Sequence, residues 1–177
     1  MEYMTPEKIV ELFKEKFNGS IINSKIEIKT AGLKKNNYSL IWIEIEVKDF
    51  KEAVNLLCTI QFPHFSIISD NDIGEEIKLT YHFSLYYGEK SQEISLNLAT
   101  SLPKNNLKIL SITDLIPGAQ ISEREIKEML GVTIEGLPDL SNIFLPMDFQ
   151  TGVYPLRRDE KGVEKIVRKE DEVRKVE

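Results

Sequence analysis

The stretch IKLTYHFSLYYG, residues 77–88, alternates apolar and polar side chains along almost its whole length. Ile77, Leu79, Tyr81, Phe83, Leu85 and Tyr87 fall on one face of an extended chain, because successive strand side chains point to opposite faces. A long strand with one apolar face has to lie on a core, and a core needs a second layer.

The flanking sequence supplies that layer. TPEKIVELFKEKFNG (5–19) has helical spacing, with Ile9, Phe13 and Phe17 four residues apart and Val10 and Leu12 beside them. Thr5 is its cap, Pro6 suits its first turn and Gly19 its stop. KDFKEAVNLLCTIQF (48–62) repeats the pattern through Ala53, Val54, Leu57 and Ile60 and ends before Pro63.

The other segments alternate. In IINSKIEIKT (21–30), Ile22, Ile26 and Ile28 face one way. In LIWIEIEV (40–47), Ile41, Ile43, Ile45 and Val47 oppose Trp42, Glu44 and Glu46. Turn residues in AGLKKNNYS join these two into a hairpin. HFSIIS (64–69) is a short strand, and EISLNLAT (93–100) places Ile94, Leu96 and Leu98 together. The order α-β-β-α-β-β-β predicts an α+β domain over residues 1–101, a twisted sheet with both helices on one face.

Beyond that point the alternation fades. Residues 102–135 read as a linker and a short helix, SEREIKEMLG, packed on the domain or on a partner. Ser122 and Glu125 have capping-box spacing, Gly131 closes the helix, and Ile126, Met129 and Leu130 make a narrow apolar stripe. Residues 136–177 read as a largely irregular extension. Three of the seven prolines lie there, and 13 of the 19 residues from Asp159 to Glu177 are charged.

Charge and composition exclude several classes. The net charge of −6 opposes non-specific nucleic-acid binding. One cysteine allows no internal disulfide, and no segment is apolar enough for a spanning helix, so a reducing compartment without a membrane span is expected. Ile and Lys are frequent and Gln scarce, as in thermophile proteins.

Catalytic and metal signals are weak. His64 and His82 stand alone, His82 on the polar face of its strand, and zinc wants three or four ligands. Cys58 has helical spacing from Val54 and no neighbouring base, so it reads as a buried small side chain. DNDIGEE (70–76) lacks the later oxygen ligands of a calcium loop and reads as a turn between strands.

The segment VYPLRRDE (153–160) is different. Ile143, Phe144, Leu145, Phe149, Val153, Tyr154 and Leu156 are too apolar for disorder, yet their segment has no period with which to build a core. Pro155 keeps it extended, and Arg157 and Arg158 then point apart. Docking on another protein's surface is expected, with aromatic and Arg anchors. Glu123 and Glu125 complement the dipole of the preceding helix or take part in that site.

EREIKEMLG, GLPDLSNIFLPMD and YPLRRDE, in this order, resemble the C-terminal signature of the 30-kDa subunit of respiratory complex I. The corresponding subunit of membrane-bound hydrogenases and archaeal sulfane sulfur reductases shares it. Glu123, Arg124, Glu125 and Gly131 match the first block. Gly136, Pro138, Asp139, Leu140, Ile143, Leu145, Pro146 and Asp148 match the second. Pro155, Leu156, Arg157 and Asp159 match the third, with Arg158 for Lys. Glu128 stands for the usual Asp, Leu130 for Phe, Leu137 for His, Ser141 and Asn142 for an Arg pair, and Phe149 for Trp. These departures point to the archaeal hydrogenase-like branch.

The resemblance implies a cofactor-free accessory subunit in the peripheral arm of a membrane-bound, ion-translocating complex, on the cytoplasmic side. It touches the membrane only through its partners. Those partners are a large hydrogenase-like subunit and a small iron–sulfur subunit. They carry the iron–sulfur clusters, and nickel-iron where the complex is a hydrogenase. The implied partner-binding residues are Glu123, Arg124, Glu125, Pro138, Asp139, Phe149, Tyr154, Pro155, Leu156, Arg157, Arg158 and Asp159. The 30-kDa subunit of an NADH:quinone oxidoreductase is the alternative within the family. Outside it stand an adaptor and a small stand-alone enzyme using a Glu123/Arg124 pair.

Overall fold

The structure is a computed structural model that describes residues 3–31, 36–89, 92–159 and 161–163. Residues 32–35 of the expected turn and the charged run from 164 lie outside the described residues. The elements are α1 (Pro6–Lys16), β1 (Ile21–Ala31), β2 (Asn36–Ile45), α2 (Val47–Ile60), β3 (His64–Asp72), β4 (Glu76–Leu85), β5 (Ile94–Pro103), β6 (Lys108–Leu110), α3 (Gln120–Leu130) and β7 (Thr133–Glu135). A 3₁₀ turn, Pro117–Ala119, leads into α3.

The five-stranded sheet has the order β1-β2-β5-β4-β3. The expected β1–β2 hairpin is present, and β3–β4–β5 form an antiparallel meander. β2 and β5 are parallel, joined by a crossover through α2 and the β3–β4 hairpin. Ile41, Ile43, Ile45, Leu79, Tyr81, Phe83, Leu96 and Leu98 form the buried face, as their alternation predicts. They share one core with Ile9 and Phe13 of α1 and with Phe50, Ala53, Val54 and Leu57 of α2. The DNDIGEE segment is the β3–β4 turn, where Gly74 takes φ +99° and its amide donates to Asp72 Oδ1 at 3.1 Å.

Several expectations are corrected. A register shift between Ile21 and Asn23 turns Ile22 outward, and Ile28, on the outermost strand, is also exposed. Val47 opens α2 instead of continuing β2. β3 extends to nine residues, well past HFSIIS. Tyr86 takes φ +54° and breaks the strand period. Tyr86 is therefore the buried member of its pair, its hydroxyl accepting from the Met4 amide at 2.7 Å, while Tyr87 is exposed and stacks on His64.

α3 begins at Gln120, because the 3₁₀ turn feeds straight into it. Ser122 and Glu125 thus lie inside the helix and form no capping box. Gly131 ends it at φ +74°, as expected. The core also passes the expected boundary at residue 101. Leu102, Ile109, Ile112, Ile116, Ile126, Leu130, Val132, Ile134 and Leu137 belong to it. Residues 102–135 pack on the domain, and the short β6–β7 parallel pair is a regular element with no signal in the sequence.

Candidate docking site: an arm fastened to one helix

Residues 136–159 contain no helix or strand and form an arm that folds back on this chain. The three sequence blocks meet at α3. Arg124, Lys127 and Glu128 stand at i, i+3 and i+4 and so share a helix face. Arg124 donates to the Ser141 carbonyl at 3.1 Å and the Ser141 hydroxyl at 2.7 Å, and pairs with Asp139 at 3.1 Å. Lys127 Nζ donates to the Leu140 carbonyl at 2.6 Å. Asp139 closes its own turn by accepting from the Ser141 amide at 2.9 Å.

Glu128 is the tightest fastening. Its carboxylate accepts from the consecutive amides of Ile143, at 2.9 Å, Phe144 and Leu145. Burial by itself pushes this carboxyl up. The three amides outweigh burial and keep it below the ordinary range. Three backbone donors in an arm without a ladder are thereby satisfied by one side chain.

The third block meets the C-terminal end of α3. The Leu156 amide donates to the Met129 carbonyl at 3.0 Å, and Arg157 Nη1 to the Leu130 carbonyl at 3.2 Å. Leu156 and Arg157 thus satisfy two of the carbonyls a helix end leaves free, and Arg157 puts a cation at the negative pole of the dipole. Tyr154 lies over Gly131, where an added Cβ would collide with its ring.

Arg157 is buried in a four-charge cluster. Its guanidinium forks onto Asp159 and lies 3.9 Å from Asp72 at the β3–β4 turn. Lys104, just past β5, reaches both Asp72 and Asp159 at 2.8 Å. The Arg158 amide donates to Asp72 at 2.9 Å, while its side chain is exposed. Burial opposes ionisation of Asp72 and Asp159. The Arg158 amide and Lys104 at Asp72, and Arg157 and Lys104 at Asp159, more than offset it and hold both carboxyls low.

Glu123 behaves in the opposite way. It is fully buried against the turn before the 3₁₀ segment, accepting from Ser111 Oγ at 2.6 Å and the Ile112 amide at 2.8 Å. Burial pushes its carboxyl up, and these two donors offset that only in part. Glu123 and Arg124 therefore diverge, and the pair needed by a stand-alone enzyme is not formed. Glu125 instead lies near Asp70, whose carboxyl is raised first by burial and then by the Glu125 charge.

Of the residues expected to face a partner, Glu123 and Arg157 are enclosed by this chain. Arg124, Asp139 and Asp159 are engaged within it, and Phe149, Tyr154 and Pro155 are half-buried. Pro138, Leu156 and the Arg158 side chain remain exposed. Sequence reasoning misses Lys127, Glu128, Asp72 and Lys104 as site residues. The i, i+3, i+4 spacing on α3 is a signal for the first two; nothing local marks the others.

The arm's inward contacts use Asp139, Arg157 and Asp159, while Asn142, Asp148, Gln150 and several large apolar side chains are exposed. Leu140 is 59% exposed, Phe144 58%, Leu156 48% and Met147 completely. Between arm and helix lies a hollow of about 460 Å³, lined by Glu128, Gly131, Ile134, Leu145, Phe149 and Tyr154 among others. Among the described residues no three His, Cys, Asp or Glu side chains are grouped to hold a metal ion, and no helix is long and apolar enough to cross a membrane.

Fold and site together define an α+β scaffold that presents a self-fastened arm with exposed apolar side chains. The chain belongs to the family of the respiratory-chain NADH dehydrogenase 30-kDa subunit, which it matches over residues 43–165. It is 34% identical over 158 residues to membrane-bound hydrogenase subunit beta of Pyrococcus furiosus, covering 89% of this chain and 87% of that protein. It is 32% identical over 120 residues to formate hydrogenlyase subunit 5 of Escherichia coli, 66% of this chain but 21% of that protein. The fold matches a chain of a membrane-bound sulfane sulfur reductase, an archaeal respiratory membrane complex. There the TM-score is 0.69 at 20% identity, over 96% of this chain and 89% of that one. It also matches a trypsin-resistant fragment of Nqo5, with a TM-score of 0.57 at 22% identity over 77% of this chain and 100% of the fragment.

Proposed function

We propose that this chain is an accessory subunit, itself without a cofactor, in the peripheral arm of a membrane-bound, ion-translocating complex of the hydrogenase or sulfane sulfur reductase type. It holds a large hydrogenase-like subunit and a small iron–sulfur subunit together on the cytoplasmic side of the membrane. The observation that carries this reading is the near full-length similarity to a membrane-bound hydrogenase subunit. The arm supports it physically. Leu140, Phe144, Met147 and Leu156 are exposed on an arm already fixed in place, which loses little entropy when a partner covers it. Pro138, Pro146 and Pro155 lower that loss further. Arg158 supplies an exposed guanidinium at the same end for a partner carboxylate or carbonyl.

A second reading, the 30-kDa subunit of an NADH:quinone oxidoreductase, draws on 27% identity over 140 residues to the C/D subunit of the NADH-quinone oxidoreductase of Salmonella. Affinity purification of the chain from gently solubilised membranes, with mass spectrometry, tests both. The proposal expects a large subunit, a cluster-bearing subunit and multi-span membrane proteins to come with it. Two C-x-x-C pairs in the large subunit mark the hydrogenase type. A chain that emerges alone and soluble would contradict both readings.

A further inference from the structure

The uncovered face of the sheet carries a second constellation. Ser69 on β3, His82 on β4 and Asn97 on β5 lie in a row across three neighbouring strands. Ser69 Oγ is 2.7 Å from His82 Nε2, and His82 Nδ1 is 2.6 Å from Asn97 Oδ1. Asn97 Nδ2 donates to the Ile41 carbonyl at 3.2 Å, so its amide oxygen is the atom that faces the ring. An oxygen acceptor at Nδ1 assigns the proton of the neutral imidazole to Nδ1 and the lone pair to Nε2. The Ser69 hydroxyl donates into that lone pair.

The burial is graded in the same order. Asn97 is buried, His82 half-buried and Ser69 exposed. The orienting group is thus locked by the fold while the hydroxyl reaches solvent. This is the nucleophile, base and orienter relation of acyl-transfer sites. β3 is an outermost strand, and among the described residues its free-edge amides make no other backbone hydrogen bond. A hollow of about 350 Å³ lies on the same face toward β1 and β2; Ser69, His82 and Asn97 do not line it, and its nearest wall is Thr80, the register partner of Ser69.

We propose that Ser69 is a base-activated nucleophile, with His82 as general base and Asn97 as positioning residue, that accepts acyl groups from small activated esters or thioesters. Ser69 Oγ attacks the carbonyl carbon, and its proton passes to His82 Nε2. The bond to the leaving group breaks, and the leaving alcohol or thiol takes that proton. Water, deprotonated by the same nitrogen, then releases the carboxylic acid and restores the hydroxyl. No oxidant or reductant enters. This inference is independent of the proposed role in a complex.

The test treats the full chain with 4-nitrophenyl acetate and, separately, with a fluorophosphonate probe, followed by intact-mass measurement and peptide mapping. One adduct at Ser69 is expected, absent in Ser69→Ala. His82→Gln should slow labelling by about 100-fold or more, the usual worth of a general base. Asn97→Ala should slow it as well, and Asn97→Asp should restore it, which a merely structural role would not do. Circular dichroism confirms that each variant is folded. No adduct, an adduct elsewhere, or labelling at Ser69 that His82→Gln leaves unchanged would overturn the proposal and leave the row as a polar staple across three strands.

Discussion

The two sides of α3 are fastened by different forces. Toward the sheet, Ile126 and Leu130 are buried in the common core. Toward the arm, Arg124, Lys127 and Glu128 hold backbone groups one by one. Apolar burial is strong but nearly indifferent to register, because it scales with area. Directed bonds to particular amides and carbonyls add less energy but fix where each arm residue lies. The difference predicts that the arm, held in one position, can be released without unfolding the sheet.

The largest effect should come from the sheet side. Phe50 is fully buried against Tyr81, with ring centroids 4.6 Å apart, and Phe50→Ala should cost about 3–5 kcal/mol in chemical denaturation, lost by the whole domain together. Glu128→Gln attacks the arm side. It removes a charged acceptor from three amides and should cost about 2 kcal/mol, confined to the arm. Hydrogen exchange should show residues 143–145 losing protection while β4 and β5 keep theirs. Loss of both together would break the comparison.

Gly131 sits where the two sides meet. Gly131→Ala imposes a left-handed conformation costing about 1–2 kcal/mol, and its new Cβ meets the Tyr154 ring. In the double variant with Tyr154→Ala the collision is gone, so thermal shifts should be less than additive. Additive shifts would mean that the ring does not rest on the glycine.

Acid should separate the sides as well. Asp72, Asp159 and Glu128 have carboxyls held low in the folded chain by donors that outweigh burial. Their stabilisation is complete above the unfolded carboxylate range, about 4, and is lost as pH falls through the lower folded values. Glu123 has the opposite sign. Burial raises its carboxyl, so its stabilisation is complete in acid and lost as pH rises from the unfolded value to the folded one. Lowering pH from about 5 to about 3 should loosen the arm before the attachment at Glu123, read by exchange in residues 143–145 and 111–113. The smallest effect belongs to the exposed apolar side chains of the arm. Met147→Ser should change stability by no more than about 0.5 kcal/mol, yet reduce recovery of partner subunits from membranes.

The two sides are unequally legible in the sequence. Alternation in Ile41–Ile45, Ile77–Leu85 and Ile94–Leu98 is a local signal and places three strands correctly. The parallel pairing of β2 with β5 leaves no such trace, because it is decided by where α2 and the hairpin return the chain. Tyr86 and Tyr87 exchange roles through one positive φ, which no side-chain pattern announces. For the arm, the three sequence blocks name most of the residues but not their use. VYPLRRDE reads as a segment with no core to join, since a period-based reading counts apolar faces. It does not see that a helical carboxylate can accept three amides or that Arg157 can end a helix. The inner side of that apolar, Arg-bearing stretch belongs to this chain, and its outer side is exposed.

Hydrogen exchange on the isolated full chain at neutral pH tests this account most directly, followed at the amides of Ile143, Phe144, Leu145 and Leu156. The account predicts that all four are protected without any partner and that Glu128→Gln exposes the first three. Amides that exchange freely in the isolated chain, and become protected only when partner subunits are added, would show that the arm is ordered by its partner and not by α3.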